Sequence, residues 1–82
     1  MTITILDLTG LKCPLPALLT RKAMQRLLPG DRLEVHCTDP MAVIDIPAMV
    51  QQSGDRLDSS TRRDALIIFT IEKCNGAIEI QN

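Results

Sequence analysis

Aromatic side chains are almost missing from this 82-residue chain: Phe69 is the only one, with no tryptophan or tyrosine. A stacking platform for nucleic-acid bases needs several such rings, so one is excluded. Net charge is nearly missing too, at −1 with acids and bases interspersed, and strong nucleic-acid binding through a phosphate-gripping surface is not expected. No apolar run approaches the length that crosses a bilayer, so no membrane association is expected. Residues 1–9 lack a basic stretch and Asp7 interrupts their apolar run, so no secretory signal is expected. No Cys-x-x-Cys occurs, and the three cysteines do not make a disulfide framework. With His36 the only histidine, a zinc site built on His36, Cys37 and Cys74 would want a fourth ligand, so no metal or other cofactor is expected. With thiols free, the expected compartment is a reducing one, the cytoplasm.

What is present is a succession of short elements in one domain over 1–82, without repeats or linkers. Residues 2–8, rich in Ile, Leu and Thr, read as a strand that Thr9-Gly10 breaks. Residues 15–28 read as a helix with Leu15, Leu18, Leu19, Ala23 and Leu27 as its apolar stripe and Pro14 and Pro16 at its start. Leu28-Pro29-Gly30-Asp31 has the residue order of a type II turn. Residues 32–37 alternate, with Leu33, Val35 and Cys37 on one face. Asp39 is a candidate helix cap with Pro40 in the first helical position, ahead of a helix to Gln52 whose stripe is Ala42, Ile46, Met49 and Val50. Pro47 falls inside that helix and predicts a kink or a later start, and Ser53-Gly54 stops it. Residues 56–61 form a polar edge strand, 62–64 a turn, and 65–71 a central strand that is apolar at both parities. Asn75-Gly76 signals a hairpin, leaving room for a short last strand over 77–80. The order β-α-β-α-β-β, with its first two strands parallel, predicts an α/β two-layer sandwich. Two helices cover one face of a mixed sheet, and the other face is left partly open or covered by a partner.

The chemistry concentrates in Gly10-Leu11-Lys12-Cys13-Pro14-Leu15-Pro16. With a helix beginning at Pro14, Cys13 becomes the cap residue, its sulfur facing the free amides and the positive end of the helix dipole. Thiols so placed have depressed pKa values and react as thiolates, and Lys12 adds a cation. The prolines fix the backbone that carries the sulfur but remove two amide donors, so only moderate activation is expected. Leu15 occupies the position where a disulfide oxidoreductase keeps its resolving cysteine. A lone activated thiol suits a reversible covalent carrier or a one-cysteine redox group. The competing reading of Cys13 as a small buried hydrophobe fits the strand–Gly–Cys–Pro–helix setting less well. It fits Cys37, which continues a core face, while Cys74 reads as an incidental surface thiol and His36 as a surface residue.

Cys13-Pro14-Leu15-Pro16 is a Cys-Pro-x-Pro element, and with it the sequence resembles the TusA/SirA family of small sulfur carriers. Leu6-Asp7-Leu8-Thr9-Gly10-Leu11-Lys12 resembles that family's opening signature. Pro29-Gly30-Asp31-Arg32-Leu33-Glu34-Val35 is similar to its second strand and preceding turn. Thr38-Asp39-Pro40, Ala42 and Asp45-Ile46-Pro47 are similar to its second-helix region. The resemblance runs to about Lys73 and implies a two-layer α/β sandwich. It also implies a sulfurtransferase that accepts sulfane sulfur as a persulfide on Cys13 and passes it to an acceptor cysteine, without metal or organic cofactor. Donors in such relays are cysteine desulfurases or rhodanese-like proteins, and acceptors include DsrE-type proteins. Destinations include tRNA thiolation, cofactor sulfuration and sulfur oxidation. Lys12, Arg21 and Lys22 are candidates for docking an acidic partner surface, and Asp39 for a partner contact beside its capping role. The alternative is a non-catalytic regulatory or interaction module, including one that contacts RNA.

Overall fold

The computed structural model describes residues 3–74, so the hairpin and strand expected over 75–80 lie outside the described residues. The elements run β1 (Ile3–Leu8), α1 (Leu15–Met24), β2 (Arg32–Cys37), α2 (Ala42–Ser53), β3 (Arg56–Arg63) and β4 (Leu66–Glu72). They form a four-stranded sheet in the order β1-β2-β4-β3. β1 and β2 are parallel, joined through α1, while β2–β4 and β4–β3 are antiparallel. This is the mixed α/β sandwich the sequence predicts, with polar β3 at an edge and apolar β4 inside.

The core lies on the face that meets the helices. Leu33, Val35 and Cys37 of β2 and Ile67, Phe69 and Ile71 of β4 alternate into it, with Leu8, Met24, Ala42, Ile46, Met49 and Val50. The second apolar parity of β4, Leu66 and Ile68, is half-buried on the opposite face. There an ion-pair network crosses the strands: Arg56 meets Asp58 at 2.8 Å and also Glu72, and Arg32 meets Asp58 at 3.4 Å. His36 sits on that face too, its Nε2 2.6 Å from Glu34 Oε2.

Several boundaries follow local chemistry. In the turn at Pro29-Gly30, Gly30 takes φ 95° and the Asp31 amide bonds to the Leu28 carbonyl at 3.0 Å, as a type II turn requires. Gly54 ends α2 at φ 82°, with Asp55 N to Val50 O and Gly54 N to Gln51 O forming a Schellman cap. The β3–β4 turn sits at Asp64-Ala65, later than the expected 62–64, and Asp64 takes φ 55°, a region Asp tolerates better than most residues.

Three expectations for the helices are corrected. α1 ends at Met24, not Leu28: Arg26 N to Ala23 O and Leu27 N to Met24 O tighten its last turn, and Pro29 disfavours helical geometry at Leu28. The buried side of α1 is Pro16, Thr20 and Met24, with Ala17, Ala23 and Leu27 packed against the core. Leu15, Leu18 and Leu19 of the expected stripe are 44, 54 and 36 % exposed. Both sides of α1 are apolar, so the 3.6-residue period gives the spacing but not which side is inside. α2 begins at Ala42 after a turn in which Ala42 N bonds to Asp39 O and Val43 N to Pro40 O, so Pro40 is not its first residue and Asp39 is not its cap. Pro47 lies inside α2, where it removes the hydrogen bond that would reach the carbonyl of exposed Val43. Among the described residues, no helix is long and apolar enough to cross a membrane.

Candidate functional site

At the end of β1 the chain must turn sharply to enter α1. Asp7 Oδ1 accepts from the Thr9 amide at 3.0 Å and the Thr9 hydroxyl at 2.8 Å, and these bonds hold its carboxyl below the usual range. The Leu11 amide bonds to Leu8 O, with Gly10 at φ 85° in the turn. The Gly10 amide then donates to Thr38 Oγ1 at 2.8 Å, and the Cys13 amide to Asp39 Oδ2 at 2.5 Å. Both acceptors belong to the β2–α2 loop. Because β1 and β2 are parallel neighbours, the loops after them emerge side by side, and the sequence-distant β2–α2 loop pins the Cys13 loop at two points.

The sulfur has its own partner. Cys13 Sγ donates to Asp45 Oδ2 at 3.1 Å, from the first turn of α2. The expected depression of the Cys13 pKa is therefore overturned. The exposed thiol is pushed above its ordinary value, first by the hydrogen bond to Asp45, then by desolvation and by the charges of Asp45 and Asp39. A thiol that donates to a carboxylate is stabilised in its protonated form, and an anion there would face two others.

The helix end supplies little to oppose this. The cap of α1 is Pro14 rather than Cys13, Pro14 and Pro16 have no amide hydrogen, and the Leu15 amide already bonds to Lys12 O at 2.9 Å. Lys12 is exposed to solvent, which screens its charge. The Cys13–Pro14 peptide is cis, a feature with no expectation from the sequence.

The remaining candidates are dispersed. Pro14 is exposed and Pro16 is buried as the second residue of α1. Arg21 and Lys22 are exposed in the last turn of α1, at the far end from Cys13. Arg21 lines a small groove with Met49, Gln52 and Ser53, and Lys22 another with Leu6, Leu8 and Leu19. Asp39 is built into the scaffold: beyond the Cys13 amide, its Oδ1 accepts from Met41 N at 3.2 Å. Asp45 stands in a segment that the family resemblance covers, but the sequence assigns it no role. Its spacing from Cys13 carries no local signal, since the contact spans 32 positions.

Cys37 is fully buried, and burial followed by the charge of Asp39 pushes its thiol up. Cys74 is exposed, with its sulfur 3.7 Å from the Glu72 carbonyl oxygen. In the native protein at neutral pH, iodoacetamide should therefore label Cys74 first, Cys13 second and Cys37 last, and the three rates should converge in denaturant. Site-by-site peptide mass spectrometry reads the order, and Cys13 labelling fastest would contradict the carboxylate geometry. Among the described residues no group of three or more His, Cys, Asp or Glu side chains is placed to hold a metal.

Comparison with known proteins agrees with this architecture. A putative sulfur carrier protein, YrkI of Bacillus subtilis, is 41 % identical over 69 residues, covering 84 % of this chain and 92 % of the relative. The sulfur carrier protein TusA of Allochromatium vinosum is 38 % identical over 68 residues, covering 83 % and 90 %. The crystal structure of a SirA-like protein from Desulfitobacterium hafniense superposes with a TM-score of 0.77 over 92 % of this chain and all of its own, at 22 % identity, and so shares the fold. Residues 4–73 match the family described as sulfurtransferase TusA, and with relatives this similar over most of both chains, the protein belongs to that family.

Proposed function

We propose that this protein is a sulfur carrier that accepts sulfane sulfur as a persulfide on Cys13 and delivers it to an acceptor cysteine of a partner protein. The observation that carries the reading is the placement of Cys13. It is an exposed thiol on a loop fixed at both Gly10 and Cys13, whose amides donate hydrogen bonds to the neighbouring β2–α2 loop. Such a thiol can be approached by another protein without the fold opening. The relatives named sulfur carriers support the same reading.

In the loading step the Cys13 thiolate attacks the outer sulfur of a donor persulfide. A new S–S bond forms, the donor's S–S bond breaks, and the donor leaves as a thiolate while Cys13 becomes Cys13-S-SH. In the discharge step an acceptor thiolate attacks that outer sulfur and Cys13 leaves as a thiolate, as in ordinary thiol–disulfide exchange. No net oxidation occurs in either step. Cysteine desulfurases or rhodanese-like proteins are the donor classes and DsrE-type proteins an acceptor class. Exposed Leu15, Leu18, Met41 and Ile44, on the segments that frame the site, offer apolar surface for docking. Lys12, Arg21 and Lys22 offer charge for an acidic partner.

Incubation of the protein with a cysteine desulfurase and cysteine tests this directly. Intact mass should rise by one sulfur atom and return to its starting value with a thiol reductant. Absence of that gain with a competent donor would remove the proposal in favour of a non-catalytic interaction module. Pro16→Ala adds a second check. Pro16 is buried at the start of α1, and freeing the backbone there should slow transfer to the acceptor while far-UV circular dichroism stays unchanged.

A further inference from the structure

A carrier thiol must do two opposed things, hold sulfur and release it, and the group placed to decide between them is a carboxylate. We propose that Asp45 is a positioning residue that keeps empty Cys13 as a protonated, quiet thiol and turns the loaded sulfur outward for release. This rests on the reading of Cys13 as the sulfur-bearing group and adds a role for a residue that does not itself exchange sulfur.

The geometry is specific. Cys13 lies in the β1–α1 loop and Asp45 in the first turn of α2, where a helix N-terminus favours a carboxylate. Sγ donates its only hydrogen to Oδ2 at 3.1 Å. The other charges near the sulfur are Lys12 beside it in sequence and Asp39 from the β2–α2 loop, whose Oδ2 is committed to the Cys13 amide. α1 contributes no acidic residue in its first turn, and its basic residues Arg21 and Lys22 lie in its last. The direction of the Cys13 titration, upward with Asp45 as the leading cause, agrees with the contact.

Loading changes what Asp45 does. Once Sγ is bonded to a second sulfur about 2 Å away, it has no hydrogen to donate and the bond to Asp45 is lost. The outer sulfur, when ionised, carries a negative charge that Asp45 and Asp39 repel. The favoured direction for that sulfur is therefore away from α2 and toward solvent or an acceptor. On discharge, the electron pair of the broken S–S bond returns to Sγ, which takes a proton from water and restores its bond to Asp45. One carboxylate stabilises the empty form and disfavours the loaded anion, so the carrier is biased toward giving.

Asp45→Asn separates charge from hydrogen bonding, because the amide oxygen still accepts. The readout is the pH profile of Cys13 alkylation by iodoacetamide, followed site by site, alongside the urea midpoint as a record of folding. The profile's midpoint should move to lower pH in Asp45→Asn and stay high in Asp45→Glu. For each tenfold gain in thiolate that this brings, neutral-pH alkylation should rise only roughly three-fold, because a less basic thiolate is a weaker nucleophile. At equilibrium with glutathione persulfide and glutathione, the loaded fraction should be larger in Asp45→Asn than in the unaltered protein. Carbon NMR of the Asp45 carboxyl in the unaltered protein needs no variant, and its signal should move as Cys13 ionises and after Cys13 is alkylated. An Asp45 signal indifferent to Cys13, or an unshifted profile in a folded variant that loads normally, overturns the role of Asp45. A shifted profile without any sulfur loading overturns the carrier reading instead.

Discussion

Cys13→Ser should abolish sulfur loading completely, whereas Cys37→Ser and Cys74→Ser should load to near the level of the unaltered protein. The difference comes from position rather than from cysteine chemistry in general. Cys37 is 0 % exposed in the core, so no donor persulfide can reach its sulfur in the native state. Cys74 is exposed but lies just past β4, where Lys73 is paired through its amide to Asp31 O at the start of β2. That is the opposite end of the sheet from the loop holding Cys13, and a partner docked over Cys13 does not present its sulfur there. Serine at position 13 keeps a donor for Asp45 and preserves the amide bond to Asp39, so the loop stays in place while the nucleophile is gone. Intact mass after incubation with donor and cysteine separates the three variants. Loading that persists in Cys13→Ser and vanishes in Cys74→Ser would relocate the site.

The largest effect on stability should come from Phe69→Ala. Phe69 is the only aromatic residue and is 1 % exposed, the largest of the fully buried side chains. It points from central strand β4, paired to Val35 of β2 on one side and Ser60 of β3 on the other, into the layer beneath the helices. Removing its ring from a packed core costs about 3–5 kcal/mol. A domain this small has a total stability toward the lower part of the roughly 5–15 kcal/mol range. The variant should therefore lose about half or more of its stability, seen as a large drop in urea midpoint with an unchanged slope. Leu28→Ala is the matched control: Leu28 is 70 % exposed and its truncation should stay within about 0.5 kcal/mol. A Phe69→Ala midpoint close to that of Leu28→Ala would mean the ring is not packed as described.

Strand alternation at Leu33, Val35 and Cys37 gave the buried face of β2, and the double apolar parity of residues 65–71 gave the inner position of β4. In a strand the period of two assigns each side chain to a face without ambiguity. Pro29-Gly30 and Ser53-Gly54 marked real turns because φ at those glycines is a local steric matter. α1 was harder. Its leucines recur at helical spacing, yet Leu15 and Leu18 face outward while Thr20 is fully buried, because which of two sides is covered depends on the sheet and the neighbouring helix and not on spacing within α1.

The same division runs through the candidate site. The Cys-Pro-Leu-Pro segment, its preceding glycine and the helix that follows were legible as local sequence, and they singled out Cys13 among three cysteines. The electrostatic state of that thiol was not legible there. The local sequence predicts a sulfur set against helix-end amides and Lys12, with a lowered pKa. The fold instead sets it on Asp45, with Asp39 on its amide, and raises it. Chain order alone determined the type and order of the elements, the apolar strand faces and the choice of Cys13 as the candidate thiol, since each depends on neighbours within a few positions. Only the tertiary structure decided the sulfur's charge preference, because the parallel pairing of β1 and β2 brings two loops from distant parts of the chain to one end of the sheet, and a charge acts through space, not along the sequence.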